Sequence, residues 1–360
     1  MPAPNRLNRR RSLGLAAASP LLLAACGGNP GDAPPPGAPW HHVAGGFRNP
    51  KGSPVRGGDR GDWYGFLWRG LVTRDDPNVL PPGHVLDAAV VRKGLARHGD
   101  GDSLTWLGHA SFLLRLGGRR VLTDPFLTDY ASPLQRVGLG PRRFAPPGLR
   151  PEAVPPVDLL LLSHNHYDHM DLMTLERLPG LEGTVCVLPL KAGRYVDALR
   201  FERIVELDWW GSVEAAGLKV TLLPSIHFSA RGLGDRNESL WGGFLIETAG
   251  KRVYFAGDTA YGPIFPEIGK AVREVDLALV PIGAYDPRPL MRASHCTPEE
   301  AVRIGRDLGA ERLAAMHWGT IRLTDEPPFE PPTRFLPAAE AAGYKEDGAW
   351  VMAIGETRGV

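Results

Sequence analysis

Cysteine is the first scarcity. The chain of 360 residues holds three, too few and too widely spaced for a disulfide framework. Cys186 sits in the apolar run Thr184-Val185-Cys186-Val187-Leu188, where a thiol serves as a small core residue. Cys296 follows His295. Both are read as free thiols, Cys296 as a bystander rather than a ligand. Excess charge is missing as well. Lys+Arg number 41 and Asp+Glu 40, and no basic run stands outside the N-terminus. Nothing in this balance selects nucleic acid as a partner. No apolar run reaches the roughly 20 residues that a membrane-spanning helix needs, and no repeat recurs at a fixed period. What remains is an ordinary globular balance, 43% hydrophobic and 22% charged. The length suffices for one large domain or two small ones with a sizeable core.

Gly (44) and Pro (35) are plentiful, partly because of the N-terminal tail. Residues 1–25 read as a signal peptide. Arg9-Arg10-Arg11-Ser12-Leu13 is a basic start with paired arginines, similar to a Tat export signal. A short apolar stretch follows and ends in Leu23-Ala24-Ala25-Cys26, which resembles the lipobox of bacterial lipoproteins. Cys26 is therefore the expected lipidation site, and 26–46 a flexible lipid-anchored tether. The expected location is periplasmic, on the outer membrane rather than the inner, since Gly27 and not Asp follows Cys26. Residues 47–360 form the expected catalytic domain.

Within it, strands are expected at Ser103–Leu107, Ser111–Leu116, Arg120–Thr123, Thr184–Leu188, Lys219–Leu223, Gly243–Glu247, Arg252–Ala256, Leu277–Ile282 and Arg312–Met316. Helices are expected at 171–178, 190–199 and 264–274. Thr297-Pro298-Glu299-Glu300 is a capping box with Pro at the first helical position, and Gly309 is the stop. Strands and helices in alternation give an α/β class. Residues 131–156 read as a long loop in which Arg142 and Arg143 are candidates to meet phosphate.

The densest chemistry is Ser163-His164-Asn165-His166-Tyr167-Asp168-His169-Met170-Asp171, just after the apolar run Leu159–Leu162. So short a loop cannot wrap four ligands around one ion without strain. It can divide them between two, His164 and His166 to one, Asp168 and His169 to the other. Two metals about 3.5–4 Å apart can share a hydroxide and clamp an oxyanion. His227, Asp258 and His317 likewise each follow an apolar run. If those strands end on one sheet edge, all seven side chains converge in a cleft, the usual ligand position of open α/β sheets. The expected sets are His164, His166 and His227 for one ion, and Asp168, His169 and His317 for the other. Asp258 is expected to bridge. Imidazole and carboxylate without thiolate suit zinc, with iron or manganese accepted by the same shell.

The cluster HNHYDH, the later His227, the Asp of Gly257-Asp258-Thr259 and the late His317-Trp318-Gly319 together resemble the metallo-β-lactamase superfamily. The closer likeness is to N-acylphosphatidylethanolamine-hydrolysing phospholipase D. It rests on Glu206-Leu207-Asp208-Trp209-Trp210, Pro281-Ile282-Gly283-Ala284-Tyr285 and His317-Trp318-Gly319-Thr320. The resemblance implies an α/β fold of metallo-β-lactamase type, an αβ/βα four-layer sandwich, with two zinc ions at one edge. It implies hydrolysis of N-acyl phosphatidylethanolamine to N-acylethanolamine and phosphatidic acid. By position, His164, His166, Asp168, His169, His227, Asp258 and His317 match the family's metal ligands. His295 matches a histidine near its reaction centre. Ala260, Asp286 and Phe228 stand where the family has other residues, which leaves head-group and acyl specificity open.

The expected chemistry is attack on phosphorus by a hydroxide shared between the ions. Asp168 orients it, and His295 hydrogen-bonds the phosphate or the leaving oxygen. His109 and Asp124 are expected to brace the site. The expected partners are a phospholipid and, through the anchor, a membrane surface; a homodimer is compatible. Two alternatives share the sequence: hydrolysis of another bond, such as a lactone, amide or β-lactam, and a surface lipoprotein that binds metal or lipid without turnover.

Overall fold

The computed structural model describes residues 33–59, 61–66, 80–272 and 274–360. The expected signal peptide and Cys26 lie outside the described residues. A small hairpin, β1 (His42–Val43) with β2 (Gly46–Phe47), precedes two seven-stranded sheets. The first contains β3 (Ser103–Gly108), β4 (Ser111–Leu116), β5 (Arg119–Thr123), β6 (Leu159–Leu161), β7 (Val185–Pro189), β8 (Arg203–Leu207) and β16 (Thr357–Gly359). Its order is β16-β3-β4-β5-β6-β7-β8. The second contains β9 (Ser212–Ala215), β10 (Leu218–Leu223), β11 (Gly243–Glu247), β12 (Arg252–Phe255), β13 (Leu277–Pro281), β14 (Arg312–Met316) and β15 (Ala349–Trp350). Its order is β15-β14-β13-β12-β11-β10-β9. The helices are α1 (Ala88–His98), α2 (Leu172–Leu175), α3 (Ile264–Val272), α4 (Arg288–Met291), α5 (Pro298–Asp307) and α6 (Pro331–Ala341).

Layering follows from strand periodicity. Successive side chains of a strand point to opposite faces. Leu159 and Leu161 of β6 join the core shared with Val220, Phe244 and Phe255 of the second sheet. Leu160 and Leu162 join a second core with Val91 of α1 and Leu175 of α2. Both faces of β6 are thus buried, which is why it reads as an unbroken apolar run. On the far side α5 packs on β13 and β14, with α3 and α6 beside it. Helix, sheet, sheet and helix make the four layers that the family resemblance implies.

The expected strands are present with ends shifted by one residue at most. The Thr297 capping box forms, with Glu300 completing it, and opens α5. Two helices differ. Asp171 caps α2 through the amide of Met173, but the helix ends at Leu175. Arg177 and Leu178 bond back only three residues, to Thr174 and Leu175, so the last turn tightens ahead of Pro179. No α-helix spans 190–199; one 3-10 turn, Gly193–Tyr195, stands there. Glu206 Oε1 accepts from the Gly193 amide at 2.7 Å, replacing the carbonyl a helix would have offered. The boundary expected at residue 47 falls inside the first hairpin: His42 pairs with Phe47, and His41 is buried.

Candidate metal centre

Strand direction decides where the site lies. β5, β6, β7 and β8 are mutually parallel, and β3 shares their direction through two antiparallel steps. In the second sheet β10, β12 and β14 likewise run one way. His109, Asp124 and the 163–171 loop leave β3, β5 and β6 at their C-terminal ends. His227, Asp258 and His317 lie beyond the C-terminal ends of β10, β12 and β14. His109, Asp124 and His317 all adopt positive φ, at 55°, 32° and 62°. Such backbone costs energy for a non-glycine residue and clusters at functional sites. Gly257 (φ 57°) precedes Asp258, and a Cβ there would lie 2.6 Å from that of Ser163. Only glycine lets these two loops meet.

Two ligand groups result. His164 Nε2 comes within 2.8 Å of His166 Nδ1, and His227 Nε2 within 3.3 Å of it. Beside them, His169 Nε2 and His317 Nε2 lie 3.6 and 3.8 Å from Asp168 Oδ2. Asp258 stands between the groups. Its Oδ1 is 3.1 Å from His317 Nε2; its Oδ2 is 3.3 Å from His169 Nε2 and 3.7 Å from His227 Nε2. The structure brings the residues of both expected sets together, with His109 beside the second. Each group can hold a metal ion.

The donor atoms fit that role. His169 Nε2, His317 Nε2 and Asp258 Oδ1 are buried without a hydrogen-bond partner. An unsatisfied buried polar atom costs about 1–3 kcal/mol, so three that converge call for a cation. Burial, reinforced by neighbouring imidazoles, pushes His164 and His166 well below the ordinary histidine range. Burial likewise lowers His227, to about 4. The three rings are neutral and offer lone pairs. Burial opposes ionisation of Asp168 and Asp258, but the surrounding histidines, His169 above all, outweigh it and hold both carboxyls low.

Other residues aim the ligands. Asp124 Oδ2 lies 2.7 Å from His169 Nδ1, and its Oδ1 accepts from the Ser163 amide at 2.7 Å. The Ser163 hydroxyl bonds Asp124 and lies 2.8 Å from His164 Nδ1. His227 Nδ1 is 2.9 Å from the Ser294 carbonyl. His109 Nε2 is 3.0 Å from Asp168 Oδ2. His109 and Asp124 thus brace the ligands as expected. Ser163 and Asn49 were missed. Asn49 Oδ1 accepts from the His227 amide at 3.0 Å; one polar residue far along the chain carries no periodic signal. His295 half-buries its ring with Nδ1 3.9 Å from Asp258 Oδ2. Arg143 differs from expectation. It is buried, and donates to the carbonyls of Ala145 and Phe126 at 2.7 Å, so it braces the 131–156 loop. Cys186 and Cys296 are buried free thiols.

The chain is similar to several known proteins. A family model described as a beta-lactamase superfamily domain matches residues 119–318. An uncharacterised protein of Mycobacterium tuberculosis is 41% identical over 66% of this chain and 64% of its own length. The chain therefore spans a little under two thirds of that relative. An N-acyl-phosphatidylethanolamine-hydrolyzing phospholipase D of Caenorhabditis elegans is 35% identical, over 69% of this chain and 72% of its own. Among solved structures, a metallo hydrolase from the archaeon Ignicoccus hospitalis is 25% identical. It covers 71% of this chain and 97% of its own, with a TM-score of 0.50.

Proposed function

The chain belongs to the metallo-β-lactamase superfamily of metal-dependent hydrolases, and on that premise we propose a phosphodiesterase of phospholipase D type. Its substrate is N-acyl phosphatidylethanolamine, and its products are N-acylethanolamine and phosphatidic acid. The observation that carries a hydrolytic role is Asp258, one carboxylate set between two facing ligand groups. The likeness to the nematode phospholipase supports the choice of bond and substrate.

Two divalent ions, zinc by donor chemistry with iron or manganese as substitutes, would supply Lewis acidity and lower the pKa of a bound water toward about 7. His164, His166 and His227 would hold one, and Asp168, His169 and His317 the other. Asp258 is shared. Asp168, ionised and bonded to His109, presents an oxygen that orients the attacking water. His295 has a buried Nδ1 without a hydrogen-bond partner, placed to meet the phosphate or the oxygen of the departing alcohol.

The test sets N-acyl phosphatidylethanolamine, a lactone and a β-lactam side by side, each with and without chelator. Turnover is expected for the phospholipid alone and is abolished by chelator. Turnover of the lactone or β-lactam with the phospholipid untouched would move the function to another bond and leave the metal centre standing.

We further propose that the N-terminal sequence, with its lipobox-like Leu23-Ala24-Ala25-Cys26, anchors this activity to a membrane through a lipidated Cys26. Among the described residues no helix is long and apolar enough to cross a membrane. Cys26→Ser is expected to shift the protein from the membrane to the soluble fraction. A variant that stays membrane-bound after a salt wash would contradict the anchor.

A further inference from the structure

A second cluster of metal-binding side chains lies away from the hydrolytic loops. We propose that His41, His42 and Asp208 form an additional divalent-metal site that clips the N-terminal segment to the edge of the first sheet. His41 Nε2 lies 2.5 Å from Asp208 Oδ1, and His42 Nε2 lies 2.7 Å from Oδ2. One ligand atom from each residue falls within 4.8 Å of the other two. Two imidazoles and a carboxylate, without thiolate, are a donor set for zinc, cobalt or nickel. Three protein ligands leave room for water on the ion.

The ligands are held before any ion arrives. The His41 ring stacks on Trp209 at 4.3 Å and 26°. The Phe47 ring meets His42 edge-on at 5.0 Å. The Trp209 amide donates to Asp208 Oδ1 at 2.8 Å, and the Arg48 amide donates to the His41 carbonyl at 2.9 Å. Burial outweighs the pull of Asp208 and keeps His41 below its ordinary value. Burial opposes ionisation of Asp208, yet hydrogen bonds from His41 and His42 hold it low. The side chain of His41 is 8% exposed, while those of His42 and Asp208 are 24% and 30% exposed. An ion can therefore enter from solvent onto a ring already fixed from behind. None of the three residues belongs to the two hydrolytic ligand groups.

Position gives the clip a consequence. Asp208 directly follows β8, whose C-terminal end shares an edge with the hydrolytic loops. His41 and His42 open the first hairpin, and 167 and 166 positions separate them from Asp208. Asn49, two residues beyond that hairpin, bonds the His227 amide. An ion here cross-links the N-terminal segment to the domain close to where that segment reaches the hydrolytic site. Binding only to the folded chain, it also raises stability with metal concentration.

The test uses the full chain, stripped with chelator, reloaded with zinc or cobalt, and freed of excess metal. Elemental analysis then counts equivalents in the unsubstituted protein, His42→Ala and Asp208→Asn. Each variant is expected to hold one equivalent fewer, to keep hydrolysis within about twofold, and to lose part of the zinc-dependent rise in Tm. Equal metal content in all three proteins overturns the proposal. So does a fall in Tm that is the same with and without zinc, since that is the loss of a hydrogen-bonded clamp alone. His42, half-exposed, carries the comparison if Asp208→Asn fails to fold. The total in the unsubstituted protein tests the two-ion centre separately; the difference between proteins tests the clip.

Discussion

Asp258→Ala is expected to cost on the order of 10³-fold in turnover, because it removes transition-state charge stabilisation from both halves of the site at once. Its two oxygens face His317 on one side and His169 and His227 on the other, at 3.1, 3.3 and 3.7 Å. Asp168 lies within 4 Å of His169, His317 and His109. Removing Asp258 leaves three imidazoles on one ion and cuts the negative charge facing both. Metal content should fall together with activity, from two equivalents at the centre to one or none. Elemental analysis beside a turnover assay reads both. A variant with full activity, or one that keeps both ions while losing all turnover, would show that Asp258 does not bridge.

Asp124→Asn is the second large effect, and it acts without touching a metal. Asp124 is fully buried. It accepts from the Ser163 amide and hydroxyl and holds His169 Nδ1. An amide nitrogen turned toward His169 would set donor against donor. The ring must then change tautomer or lose its partner. Loss of such a bracing contact typically costs 10–100-fold in metal affinity, and an unpaired buried donor adds about 1–3 kcal/mol of instability. Competition against a chromophoric chelator measures the first, and denaturant unfolding of the metal-free protein the second. Unchanged affinity in the variant would mean that the fold alone orients His169.

The legible part of this molecule is the part where chemistry and periodicity coincide. His164, His166, Asp168 and His169 crowd one short loop after an apolar strand, and His227, Asp258 and His317 each follow a strand of the same kind. The core strands could be read because both faces are buried, as in β6. Edges were harder. β8 reads Arg203-Ile204-Val205-Glu206-Leu207, with charged residues in a strand that is largely uncovered, so polarity hid it. Helix α6 was missed because Pro331 and Pro332 look like breakers. At the first turn no amide is needed from them, and only Pro337 lies inside the helix. Residues 190–199 went the other way: an apolar pattern suggested a helix, and Glu206, from a strand not foreseen, took one of its amides. Asn49 and Ser163 show the remaining limit. Their roles depend on which loops meet, as where Gly257 passes Ser163.

The most direct test runs hydrolysis of N-acyl phosphatidylethanolamine by the metal-loaded full chain in ¹⁸O-water, and follows both products by mass spectrometry. Water attack on phosphorus places the label in phosphatidic acid, and the N-acylethanolamine leaves with its own oxygen. Chelator should abolish both products, and zinc restore them. Label in the N-acylethanolamine, or product formed equally with chelator present, would contradict a metal-dependent cleavage at phosphorus.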